Sequence, residues 1–510
     1  VTAESVLKEK ISLGDRINPI VVKELRQAVQ SRFVIAALLT LLSVQLVAIG
    51  IYILASGPSL FGFDAGRQTF LMLFGILQVV AVIFVPLYTG ARLAAERSDI
   101  NVDLLFITTI KPRSVIAGKM FAAITLTALI YSACMPFMAF TYFLRGIDLP
   151  SIFISLGIGF VVVVACAQGA VFVALIPVNR AFKIILGLIS LAIFGLIYFW
   201  TMFGVSVVIS RGLGRDFWQA LTAMCVVICF MVGLFFVMSV ALIMPVASNR
   251  ALPVRLFITA AWLLTGVAAV TVGWIENDHW PVTIWLLMFE IVFALAIFAA
   301  VSERDQPGRR VLRSVPRSLL GRARAFFFFS GAASGLAWTS VMVVLTLGAA
   351  VTCVKLFSTN RNADDLINSA KWMGGMCLYF FCYAMTGALL RRHLFSRVGT
   401  ELTWLIAAIL LVVGSLAPFL IGYIMFFNDQ WWSEDLGAWW VGNPFAWANK
   451  GHRVLYASVG GVWAVLVAAI SLSWFIERVR SFRPASQVAA SDAIESVPRA
   501  VASGSPSATD

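Results

Sequence analysis

Twelve apolar runs dominate this sequence, each about as long as the roughly 20 residues that a helix needs to cross a bilayer. They fall at about 33–54, 69–91, 120–143, 151–177, 184–210, 218–245, 256–275, 281–301, 336–357, 372–390, 402–427 and 453–476. Backbone polar groups inside lipid must be satisfied within the segment, so runs of this length predict helices. The expected fold class is an all-α, polytopic integral membrane protein with about 12 transmembrane helices. The long runs 184–210 and 218–245 leave tilted, kinked or partly re-entrant paths open.

Composition enters as the test of that pattern. Hydrophobic residues make up 61% and charged residues 12% of the 510, against about 45–50% and 25% in an ordinary soluble domain. The net charge of +13 raises nucleic acid as a partner, but the basic residues lie in short connectors between apolar runs. That is the positive-inside pattern, so no nucleic-acid partner is expected. With the N-terminus inside, 29 Lys and Arg fall on the inner side and 9 on the outer, which places both termini in the cytoplasm. Residues 1–32 are polar and carry no signal-peptide core. Val1 in place of Met reads as an alternative start or a trimmed chain.

The organisation reads as two six-span halves, 33–255 and 256–483, preceded by an interfacial segment at 1–32 and followed by a Ser-, Ala- and Pro-rich tail at 484–510. The composition of that tail predicts disorder. All seven cysteines sit in apolar runs, where they read as small buried hydrophobes rather than disulfide partners. His279, His393 and His452 are far apart. No metal motif or nucleophile motif appears, so neither a metal site nor enzyme chemistry is expected in this chain.

Two segments on the inner side carry a mechanism. In residues 17–32, Asn18 caps and Pro19 opens a helix. Ile17, Ile20, Val21, Leu25 and Ala28 form its apolar face, with Lys23, Arg26, Gln27 and Gln30 opposite. This reads as an amphipathic helix in the cytoplasmic interface, or as a plain basic anchor. The loop 92–119 is too polar to span and too long for a turn. Ser98 is positioned to cap a short helix and Asp99 to complement its dipole. Val102, Leu105, Phe106 and Thr109 share one face, Asp99 and Asp103 another, and Pro112 ends it. Such a helix fits a groove on a partner, or is a connector lying on the surface.

The run Glu96-Arg97-Ser98-Asp99-Ile100-Asn101-Val102-Asp103-Leu104-Leu105, then Thr108 to Arg113 and Gly118-Lys119, resembles the loop between the second and third spans of ABC exporter permeases of the type-2 superfamily. Asn18-Pro19 and Lys23-Glu24-Leu25 resemble that family's upstream interfacial helix. The resemblance covers about residues 17–135. Ile100-Asn101 and Ile110-Lys111 depart from the family pattern, the second half has no matching loop, and twelve spans exceed the usual six.

The resemblance implies a multi-pass permease subunit of an exporter in the plasma membrane, a bacterial inner membrane. Glu96, Arg97, Asp99, Asp103, Leu104, Leu105 and Pro112 would form a coupling helix seated in a separate ABC ATP-binding subunit. ATP and Mg would then belong to that partner, with no cofactor in this chain. Gly118-Lys119 lacks the upstream Gly and the following Ser or Thr of a phosphate-binding loop. Membrane lipid is the second expected partner, and a homodimer or a pseudo-dimer of halves stays open.

Three further features remain. The connector 302–335 holds seven arginines; it reads as a topology anchor, a helix on an anionic leaflet, or a second docking surface. Glu290 stands near the middle of the 281–301 run, where an ionised carboxylate is costly. It reads as a structural acid or as the coupling site of an ion-driven secondary transporter. Trp431, Trp432, Trp439, Trp440 and Trp447 crowd the outer loop 428–452. They read as an interfacial belt or a stacking surface, with Asn443-Pro444 marking a turn in a surface-lying or re-entrant piece. A membrane scaffold or a lipid-linked glycosyltransferase is the third class. The latter would want acids on a large outer loop, and Asp64 lies in a short one.

Overall fold

A computed structural model describes residues 22, 26–27, 30–56, 64–98, 111–245, 248–276, 278–304, 309–356, 363–426, 438–448 and 451–483. Among them there is no strand, and twelve helices are long and apolar enough to cross a membrane. The protein is an all-α, multi-pass membrane protein. Its chain divides into two compact units, Val1–Pro245 and Val246–Asp510, with six spanning helices each. The predicted tail 484–510 lies outside the described residues.

Unit 1 contains α1 (Arg32–Ser56), α2 (Ala65–Ser98), α3 (Pro112–Phe143), α4 (Leu149–Leu175), α5 (Arg180–Arg211) and α6 (Arg215–Ile243). The long fifth and sixth runs are single uninterrupted helices. Helices α2 and α4 pack along each other at the centre, and α3, α5 and α6 pack around them. Phe70, Phe74, Leu77 and Val85 of α2 are fully buried in that core with Val163 and Ala167 of α4. By contrast α5 turns Ile184, Leu188, Leu196, Phe199 and Trp200 outward. A patch of that size on a soluble protein would drive aggregation; on a membrane protein it is the lipid face.

Unit 2 contains α7 (Ala251–Glu276), α8 (Trp280–Val301), α9 (Arg309–Arg313), α10 (Leu319–Phe328), α11 (Ala332–Leu356), α12 (Ala363–His393), α13 (Thr403–Phe426) and α14 (Arg453–Ser481). Helices α8 and α12 are central, with α7, α11, α13 and α14 around them. The basic connector forms α9 and α10, with Ser318 capping α10 through the amide of Gly321. Phe326 and Phe329 pack edge-on against Phe482 at the end of α14. Leu319 and Leu320 are the exposed apolar pair of this connector.

The third helix starts eight residues earlier than hydropathy suggests, at Pro112 rather than 120. Its first turns carry Arg113 and Lys119, which depress the apolar signal, yet Lys119 is buried. Likewise α2 runs on to Ser98. At 1.5 Å per residue, α2 and α3 are each about 50 Å long, against a hydrocarbon core of about 30 Å.

Candidate functional site

The polar loop between the second and third spans is therefore shorter than 92–119. Its ends are the last turns of α2 and the first turns of α3. Ser98 is the last residue of α2, and the short helix it was expected to cap falls in 99–110, outside the described residues. Pro112, expected to stop a short helix, opens α3 after an extended Lys111. Proline suits this place, since the amide it lacks would have no partner in the first turn. Glu96 and Arg97 lie in the final turns of α2. Asp99, Asp103, Leu104 and Leu105 lie outside the described residues, as do Asn18, Pro19, Lys23, Glu24 and Leu25.

What flanks this loop is firmly built. Leu93 of α2, Ile116 of α3, Val171 and Leu175 of α4 and Val240 of α6 form one buried cluster. Four helices are thus locked together near the end of α2 and the start of α3. The two segments singled out in the sequence also meet here. Arg92 donates one hydrogen bond to the Tyr88 hydroxyl at 2.9 Å and another to the side-chain oxygen of Gln27. Its guanidinium also lies 5.9 Å from the Tyr88 ring centre. Residues 26–30 close a helical turn, with the Gln30 amide bonded to the Arg26 carbonyl.

A buried polar seam runs through unit 1. The Tyr131 hydroxyl donates to Gln78 Oε1 at 2.6 Å, and Gln78 Nε2 reaches the Gly159 carbonyl at 3.4 Å. Gln45 Nε2 donates to the Leu73 carbonyl, and Gln168 Nε2 to Ser239 Oγ. Amides and hydroxyls tie helices together in lipid at modest cost.

Unit 2 holds three polar features of another kind. Arg255, one of the basic residues of the inner side, is 4% exposed. It donates to the carbonyls of Phe327 and Phe329, where α10 ends, and to Ser334 Oγ. A cation suits the carbonyl-rich end of a helix. It pairs with Glu303 at 2.5 Å, and the other Glu303 oxygen accepts from the Gly331 amide at 2.6 Å. This hub fastens the connector to the starts of α7 and α11.

The second feature is the tryptophan-rich loop. Within its described part, Trp440–Gly442 and Pro444–Ala448 form two short 3-10 turns. They pack against α12 and the middle of α13, while Trp431 and Trp432 lie outside the described residues. The Gly442 carbonyl accepts from the Tyr383 hydroxyl at 2.6 Å, and a Cβ on Gly442 would sit 2.0 Å from the Gly414 carbonyl. Gly414 is midway along α13. Trp447 is buried against Gly375 of α12, where a Cβ would meet its ring at 2.0 Å. Trp372 Nε1 donates to the Phe445 carbonyl, and Arg453 Nε to the Trp447 carbonyl. Non-helical backbone at membrane depth persists only when protein or a water-filled cavity surrounds it, and here side chains of α12 and α14 supply the partners.

The third is Glu290, 3% exposed and midway along α8, with neither carboxylate oxygen hydrogen-bonded among the described residues. Cys377 of α12 is its titratable neighbour. No group of three or more His, Cys, Asp or Glu suited to a metal occurs among the described residues. Searched against protein-family models, curated proteins and solved structures, the chain matches none of them.

Proposed function

We propose that this chain is the membrane-spanning permease subunit of an ATP-driven exporter of the ABC class, placed in a bacterial inner membrane. A separate ATP-binding subunit docks on the 92–119 loop. The observation that carries this reading is the packing of the two helices that flank that loop: overlong α2 and α3 locked to α4 and α6 through Leu93, Ile116, Val171 and Val240. A segment held between two rigid helices that outrun the bilayer transmits a push from a soluble partner into the spans. Glu96, Arg97, Asp99 and Asp103 pair with the partner's cleft, Leu104 and Leu105 fill it, and Pro112 fixes the return into α3. ATP and Mg bind and react in the partner.

Tagged protein in detergent, wild type beside a Glu96→Ala, Asp103→Lys, Leu105→Asp variant, tests the reading. An ATPase that co-purifies with wild type and is lost from the folded variant is the expected result. If no ATPase accompanies either protein, the reading fails. One observation, the unpartnered Glu290, favours an ion-coupled transporter instead. Transport by the purified chain in liposomes without ATP would put that reading first.

A further inference from the structure

We infer that Glu290 is a proton-exchange site inside unit 2, one that binds and releases a proton whichever way the transport is powered. The inference rests on placement and on the absence of any compensating group. Glu290 is 3% exposed at the middle of α8. One turn away on the same face, Ala294 packs against Met376 and Phe380 of α12. Phe289 and Phe293 flank it, both fully buried. A carboxyl retained for structure is hydrogen-bonded, as buried polar groups are. Glu290 has no such partner for either oxygen among the described residues, so its acid chemistry does nothing for packing that an apolar side chain would not do better.

The groups that face it are few. Helices α7, α11, α12 and α13 all pack on α8. The ionisable residues of α7 are Arg255, held by Glu303, and Glu276 at the far end. Helix α11 offers Cys353 and Lys355 at its end, and α13 only Tyr423, near its end. On α12, Cys377 stands beside Glu290. Tyr379, Cys382 and Tyr383 bond elsewhere, to the carbonyls of Tyr456, Gly460 and Gly442. Asp364, Asp365, Lys371, Arg391, Arg392 and His393 sit toward the two ends of α12. Among the described residues, therefore, no cation stands beside Glu290 to neutralise its carboxylate.

The ligand is a proton rather than a metal ion. Hard cations require several oxygen ligands, and among the described residues no group of three or more His, Cys, Asp or Glu gathers to hold a metal ion. In the exchange, a carboxylate oxygen takes H⁺ from water to form an O–H bond and becomes neutral. Release breaks that bond and returns H⁺ to water, and no other bond changes. A bare charge at this depth is costly, so release requires water to reach the site. Exchange and opening of the α8–α12 packing are thereby coupled.

Infrared difference spectroscopy of the full chain in lipid, wild type minus Glu290→Gln, tests this directly. The expected result is a carboxylic-acid carbonyl band that is lost in the variant, shifts when H₂O is replaced by D₂O, and disappears as pH is raised over folded protein. A Glu290 band that never shifts in D₂O identifies a sealed structural acid and overturns the inference. So does the absence of any acid band at every pH at which the protein stays folded. If Glu290→Gln does not fold, Glu290→Asp, which moves the band instead of removing it, provides the same subtraction. None of these outcomes bears on whether an ATPase docks at 92–119, so failure here and failure of the permease reading are distinguishable.

Discussion

Apart from Lys119 near the start of α3, unit 1 keeps its buried polar side chains neutral, with Gln45, Gln78, Tyr131 and Gln168 linking helix to helix through amides and a hydroxyl. Unit 2, with the same number of spans, holds a buried guanidinium paired with a half-buried carboxylate, a buried carboxylate with no hydrogen-bond partner among the described residues, and a stretch of non-helical backbone. Their apolar cores differ in the same sense. Unit 1 interdigitates Phe, Leu and Val from α2 and α4, whereas unit 2 closes Tyr379, Tyr383, Trp447, Tyr456 and Trp463 around its insert. Equal span number is thus a poor guide to equivalence. Neutral amides hold a bundle at small cost, while buried ions and broken helices are expensive in a bilayer and mark where a membrane protein does something besides span.

The contrast is broken most severely at Arg255. Replacing it with Met leaves the partly exposed Glu303 without its cation and frees the carbonyls at the end of α10; the cost lies below the about 3–5 kcal/mol of a fully buried pair. Arg304→Met, at the exposed pair with Glu401, costs about 0–1 kcal/mol. Apparent melting temperatures in one detergent compare the two. Equal, small shifts would show that the Arg255 hub carries no more than a surface contact.

Next comes the insert. Gly442→Ala places a methyl 2.0 Å from the Gly414 carbonyl, and backbone cannot swing aside as a side chain can. Overpacking of this kind costs about 1–3 kcal/mol and should expel the turn, making a cysteine introduced at Ala446 reactive to a polar thiol reagent. In unit 1, Gly157→Ala meets nothing within 4 Å, and a helical alanine is favoured over glycine by about 0.5–1 kcal/mol. If Ala446→Cys is equally reactive with and without the Gly442 change, the segment is not held at depth.

These positions also show what the sequence could reveal. The spans were legible because a bilayer imposes a length and a polarity on every crossing. The start of α3 was not, because hydropathy counts Lys119 as polar wherever it lies, and the buried site it occupies is a property of the packing. Trp447 was misread because an interfacial belt and a packed plug have the same composition. The discriminating signal was the set of glycines opposite the tryptophans: Gly375 beneath Trp447 and Gly422 beneath Trp439. Arg255 disappeared into a count of inside charges, since its partners lie 48 to 79 residues away. Glu290 stood out at once as the lone acid in an apolar run, but its lack of a partner became visible only when α12 was seen beside it.

The smallest effect separates two helix caps. Asp148 caps α4 by accepting from the Ser151 amide at 3.2 Å, and Ser318 caps α10 by accepting from the Gly321 amide at 3.2 Å. Loss of either cap costs about 0.5–2 kcal/mol locally. On α4 that loss is absorbed, because its 27 residues are anchored along the centre of unit 1. Helix α10 has 10 residues, fewer than an isolated helix needs to persist in water, and its first two side chains, Leu319 and Leu320, are exposed. Ser318→Ala should therefore fray α10 from its start and speed tryptic cleavage after Arg317, Arg322 and Arg324, while Asp148→Ala leaves the digestion pattern unchanged. Cleavage at wild-type rate in Ser318→Ala would mean that the Arg255 hub at the other end of α10 holds the helix unaided.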